Sequence, residues 1–170
     1  MKRRTFLIGG ISLGSLLLGG SAYRVGALWW NQDRASHFQV LSYREVEITE
    51  AIVDAIFPGD HLGMPPGNDV GVVEALDDYL AAIDETTANL LRLLLHAIDE
   101  MAIPGQFSLR PFRHQSRENR IAILNRWDTS SIDARQQAFF ALKLVLSMGY
   151  CEAPAVIRAA GIDYECGGWQ

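Results

Sequence analysis

Two cysteines in 170 residues are too few for a disulfide-built scaffold or a four-cysteine zinc site. There is no Cys-x-x-Cys-His run, which removes covalent c-type haem. Basic residues are outnumbered, 15 against 20 acidic for a net charge of −5, and no basic patch is interleaved with aromatics, so nucleic acid is not a partner to expect. The chain has no alternating strand pattern of useful length and no internal repeat. Without strands there is no setting for a dinucleotide-binding glycine turn or a nucleophile elbow. The four histidines (His37, His61, His96 and His114) stand far apart, without the Glu-x-x-His pairing of a di-iron bundle. His96 and Glu100, one helical turn apart, read as a solvated polar pair rather than as metal ligands. No catalytic, cofactor-binding or metal residue is therefore assigned.

What is present begins with the amino terminus. Lys2, Arg3 and Arg4 precede Phe6, Leu7 and an uncharged stretch over residues 5–23 that contains five glycines. A basic head followed by an apolar stretch is the layout of an export signal. The pair Arg3-Arg4 followed by Phe6 and Leu7 resembles a twin-arginine translocation signal, with Lys2 and Ile8 as departures from it. The competing reading is a membrane anchor whose arginines follow the positive-inside rule. Gly20-Ser21-Ala22 and Val25-Gly26-Ala27 both fit a cleavage site. An uncleaved segment of this length would also span a hydrocarbon core of roughly 30 Å, with Trp29 and Trp30 at its outer interface. Either way the expected location of the domain is the periplasm. The expected division is a signal or anchor over 1–27, a linker over 28–40, a helical domain over 41–163 and a tail over 164–170.

Beyond residue 27 eleven basic residues face twenty acidic ones, a net charge of −9, and the periodicity is helical almost throughout. Ser42 to Glu45 reads as a capping box opening a helix with Ile48, Ile52, Val53, Ile56 and Phe57 on one face, stopped by Pro58-Gly59-Asp60. A Gly/Pro loop leads to a second helix with Val72, Val73, Leu76, Tyr79, Leu80 and Ile83 inward and Glu74, Asp77 and Asp78 on its wet side. A third helix, capped by Asp84 or Thr86, carries Leu90, Leu91, Leu94, Ile98 and Met101. A fourth runs from Ser116 through Trp127 and buries Ile121, Leu124 and Trp127. The stretch 133–150 is apolar on nearly every side, which suits the buried centre of a bundle. Pro154 suits the first turn of a last helix and Gly161 its stop. The fold class is all-α, a compact bundle of about five to six helices behind the leader.

Cys151 and Cys166 pose an open choice. Paired in an oxidising compartment, they would close a loop of about 15 residues and contribute about 3 kcal/mol. Otherwise Cys151 is a buried thiol and the tail cysteine is free. Charge is uneven as well, with 13 acidic residues and only Arg92 between positions 45 and 100, and seven basic residues between 110 and 143. The two halves either complement each other inside the fold or leave an arginine-bearing docking surface. For the latter the candidates are Phe107, Leu109, Arg110, Phe112 and Arg113, in the connection between the third and fourth helices. Phe107 and Phe112 folding back as lids on the core is the other outcome.

The order of features resembles the gluconate 2-dehydrogenase subunit 3 family. The residues that carry the likeness are the leader, Leu41-Ser42-Tyr43-Arg44-Glu45, the run Ile52 to Asp60 and Asp69-Val70-Gly71-Val72-Val73. It is clearest over 41–83 and looser through Arg117–Leu124, Phe139–Tyr150 and Ala160-Gly161. The resemblance implies a helical, non-catalytic small subunit that holds no cofactor itself. It would accompany a large FAD-dependent dehydrogenase subunit of the glucose–methanol–choline type, acting on a sugar, sugar acid or polyol. Electrons would pass to a multihaem cytochrome c subunit where one is present. Its leader, through Arg3, Arg4, Phe6 and Leu7, would take both subunits through the twin-arginine translocase. The ending Gly167-Gly168-Trp169-Gln170 departs from the longer glycine-rich ending of many members. A stand-alone membrane-tethered helical domain with a structural role in the envelope is the alternative.

Overall fold

The computed structural model describes residues 32–59, 63–100 and 110–162, and Ser42 opens the first helix among them. The Ser42 hydroxyl accepts from the Glu45 amide while the Glu45 carboxylate accepts from the Ser42 amide, the reciprocal box expected from the sequence. This helix, α1 (Tyr43–Ile56), buries Ile48, Ala51, Ile52 and Val53. Its end is turned by Gly59, at φ +77°. The returning 3-10 turn Gly67–Val70 lies hard against α1. A Cβ on Gly67 would sit 2.6 Å from Val53 Cγ1 and 2.9 Å from Phe57 Cβ, so only glycine lets the loop close there.

Five more helices follow among the described residues. Helix α2 (Val72–Ala82) leads to α3 (Glu85–Glu100), where the Asp84 carboxylate accepts the Thr87 amide at 3.0 Å as a cap. After the 3-10 turn Phe112–His114, Ser116 caps α4 (Arg117–Asp128), and α5 (Asp133–Glu152) crosses both α2 and α4. Pro154 occupies the first turn of α6 (Pro154–Ala159), and Gly161, at φ +67°, follows its end. The fold is an all-α bundle of six helices among the described residues, without a strand there. Its core is built from Leu41, Ile48, Ile52, Leu76, Leu95, Ile98, Phe139, Leu142 and Leu146. Tyr150 ties the last turn of α5 to the loop after α1 by stacking on Phe57 at 4.4 Å and donating its hydroxyl to Pro65 O at 2.8 Å.

Several faces differ from the sequence-based assignment. The compact unit starts at Arg34, so residues 34–40 belong to the domain rather than to a linker; Ala35 and Leu41 are buried. Asp77 is not on the wet side of α2. It is buried and accepts the amides of Gln39, Val40 and Leu41 at 2.5, 2.9 and 2.9 Å, serving a segment that has no secondary structure to satisfy them. On α4 the buried residues are Ile123, Leu124 and Trp127, while Ile121 is exposed, and on α3 Leu90 is exposed. The apolar helix α5 is not the centre of the bundle either. It buries Phe139, Leu142, Leu146 and Tyr150 and turns Phe140, Leu144 and Met148 outward. Arg3, Arg4, Phe6, Leu7, Phe107, Leu109, Met101 and Cys166 lie outside the described residues.

Candidate functional site

Two polar assemblies and one apolar face stand out. The first assembly is centred on Glu45, the third residue of α1, which is fully buried. Its carboxylate accepts the Ser42 amide and hydroxyl, both at 2.8 Å, through Oε2. From α3, Arg92 grips it with both arms of the guanidinium, Nε to Oε1 at 2.9 Å and Nη2 to Oε2 at 3.2 Å. His96, one turn further on, brings Nε2 to 3.2 Å from Oε1 and is itself fully buried. An ionised carboxylate only accepts, so His96 Nε2 carries the proton. Burial pushes the Glu45 carboxyl up, but the hydrogen bonds from His96, Arg92 and Ser42 outweigh it and lower the pKa from 4.5 to about 2. Such a group is a poor general base at neutral pH. It holds α1 to α3.

The second assembly is centred on Asp99, also fully buried. It accepts from Arg44 Nη2 at 3.1 Å, from the Arg113 guanidinium and from the Arg113 amide at 3.2 Å. The charges continue outward on both sides, Arg44 reaching Glu100 at 2.7 Å and Arg113 reaching Glu47 at 3.3 Å. Burial alone would lower the Arg44 pKa; the hydrogen bonds to Glu100 and Asp99 raise it on balance. Arg120 bonds Asp54 at 3.0 Å and the carbonyl of Arg113 at 3.0 Å. An open cleft of about 330 Å³ lies beside this row, walled by Glu47, Glu50, Asp54, Arg113, His114 and Arg120. Burial and the neighbouring Glu47 and Glu74 push the Glu50 carboxyl up. Among the described residues the lining contains no hydroxyl or thiol.

These pairings decide several choices left open by the sequence. The acidic and basic halves complement each other inside the fold, through Arg113 with Asp99 and Glu47 and through Arg120 with Asp54. His96 and Glu100 do not form a solvated pair, because His96 faces Glu45 and Glu100 faces Arg44. Of the five candidate docking residues, Phe112 is a core side chain and Arg113 is committed to carboxylates of its own chain, while Arg110 is exposed. Phe112 and Arg113 therefore fix the 3-10 turn to the bundle, while Phe107 and Leu109 lie outside the described residues. Cys151 is exposed, not buried. Among the described residues no group of three or more His, Cys, Asp or Glu is placed to hold a metal ion, and no helix is long and apolar enough to cross a membrane.

The apolar face lies on α5. Phe140, Leu144 and Met148, at 60%, 51% and 49% exposure, repeat every four residues and so share one side of the helix. A groove of about 370 Å³ between α2 and α5 adjoins it at Met148. Neither feature is assigned by the sequence reading. An all-round apolar helix looks the same whether its outer side meets protein or water, whereas the pairing of Glu45 with Arg92 spans 47 positions and leaves no local pattern.

No family model matches the chain, and no curated protein or solved structure matches it either.

Proposed function

We propose that this chain is a non-catalytic small subunit of a periplasmic, FAD-dependent dehydrogenase acting on a sugar, sugar acid or polyol. In this reading it binds the large flavin-carrying subunit, stabilises it and supplies the twin-arginine leader that exports the pair. The observation that carries the binding role is the outward apolar side of α5. Three large apolar side chains on one exposed helix face cost solubility and contribute nothing to the core, the usual mark of a surface meant to be covered. The buried carboxylates, by contrast, are saturated by arginine, histidine and backbone donors and serve the fold. Two of the segments that carry the family resemblance have a folding role of the same kind, in the Ser42–Glu45 box and in Val53 and Phe57, against which the loop closes at Gly67.

The test is export. Arg3→Lys with Arg4→Lys should leave both this chain and the flavoprotein in the cytoplasm, because a compact ammonium does not reproduce the planar guanidinium pair. Fractionated cells assayed for both proteins and for dehydrogenase activity give the answer. Undiminished periplasmic activity from the double variant would sink the escort role.

A further inference from the structure

The groove between α2 and α5 has a chemistry of its own. At its base the two helices touch so closely that a Cβ on Gly149 would stand 2.7 Å from the Ala75 Cβ. Val145 and Met148 form one wall and Tyr79 the other. From Met148 the apolar surface runs on through Leu144 to Phe140, about 12 Å at a helical rise of about 1.5 Å per residue, or a little over two turns. The rim is acidic. Asp78 and Glu152 line it, and Glu74 stands exposed one turn before Asp78 on α2. Neither α2 nor residues 144–152 of α5 contain a lysine or arginine. Lys143 is drawn to Asp128 at 2.5 Å.

We propose that this groove takes an amphipathic helix of a partner protein, with apolar anchors along one side and lysine or arginine beside them. The inference deepens the docking reading above, on which it rests, by naming what the partner must present. The spacing of Phe140, Leu144 and Met148 matches the i, i+4 anchors of a helix laid along a helix. The rim selects the charge of the occupant. A second copy docked through the same face would set Glu74, Asp78 and Glu152 against themselves, and an anionic lipid surface would be repelled by them.

The probe is a pair of synthetic helices of equal length, one of leucine and lysine and one of leucine and glutamate, each fluorescein-labelled. They are titrated against the full chain in zwitterionic nanodiscs, with empty nanodiscs subtracted. The lysine peptide should bind about tenfold or more tighter than the glutamate peptide, and salt should weaken it. Leu144→Ser with Met148→Ser should weaken that binding by about tenfold. Asp78→Asn with Glu152→Gln should weaken it by about threefold and flatten its salt dependence. Unchanged melting temperatures establish that each variant is folded. Equal binding of the two peptides overturns the proposal, as does undiminished binding by the serine variant. Self-association, or adhesion to anionic vesicles, that the serine variant abolishes overturns it as well, in favour of a second copy or a membrane. No flavoprotein takes part in this titration, so its failure leaves the escort role to the export experiment, and failure of export leaves the groove chemistry intact.

Discussion

The seam between α1 and α3 and the outer side of α5 break the same rule in opposite directions. The seam puts Glu45, His96 and Asp99 where apolar side chains are expected, and α5 puts Phe140, Leu144 and Met148 where polar ones are. In the seam every buried charge has partners from another element. Desolvation is offset there by bidentate and backbone hydrogen bonds. On α5 the apolar side chains have no such partners within the described chain. The polar groups inside join one helix to another, while the apolar ones outside are not used by the described part of the fold.

The largest effect that would sharpen this contrast is Glu45→Ala. It strands Arg92 and His96 and should cost about 3–5 kcal/mol in urea unfolding. A loss under about 1 kcal/mol would mean that the seam contributes little beyond a surface ion pair. Asp77→Ala is next, at about 2–3 kcal/mol, because it removes a charged acceptor from three amides. Hydrogen exchange at Gln39, Val40 and Leu41 should accelerate in that variant ahead of the rest of the domain.

Acid probes the seam without mutation. The Glu45 pKa is lowered in the folded protein, so its contribution is fully present above pH 4.5 and is lost as the pH falls from there to about 2. Stability measured in urea at successive pH values should fall through that window, and less steeply in Glu45→Gln. The smallest effect belongs to the other region. Leu144→Ser with Met148→Ser should leave folding stability within about 0.5 kcal/mol of the parent. A drop of several kcal/mol would make the outer side of α5 part of the fold and erase the contrast.

Local signals in the sequence were enough to place the helices. The Ser42–Glu45 box, the Asp84 and Ser116 caps, Pro154 and Gly161 each act within a few residues of where they stand, and each does so in the structure. Which side of a helix is buried was harder to read. Ile121 and Leu90 fit an apolar stripe and are exposed, and Asp77 fits a polar one and is buried, because burial depends on neighbours supplied from far along the chain. The seam illustrates this most plainly. Arg92 stands alone among thirteen acidic residues, and nothing near it in sequence points to Glu45, 47 positions away.

Asp77 also has a mechanical consequence. The amides it holds lie at the amino-terminal entry to the bundle, next to Leu41, which is plugged into the core. Tension applied at Arg34 would meet its bridge to Ser42 and the bond from the Ala35 amide to the Leu41 carbonyl at 3.0 Å, and beyond them three hydrogen bonds converging on one carboxylate of α2. Parallel bonds that must yield together resist a pull better than bonds that yield in turn. The entry segment thus behaves as an anchor plate, spreading traction into α2 as well as into the start of α1.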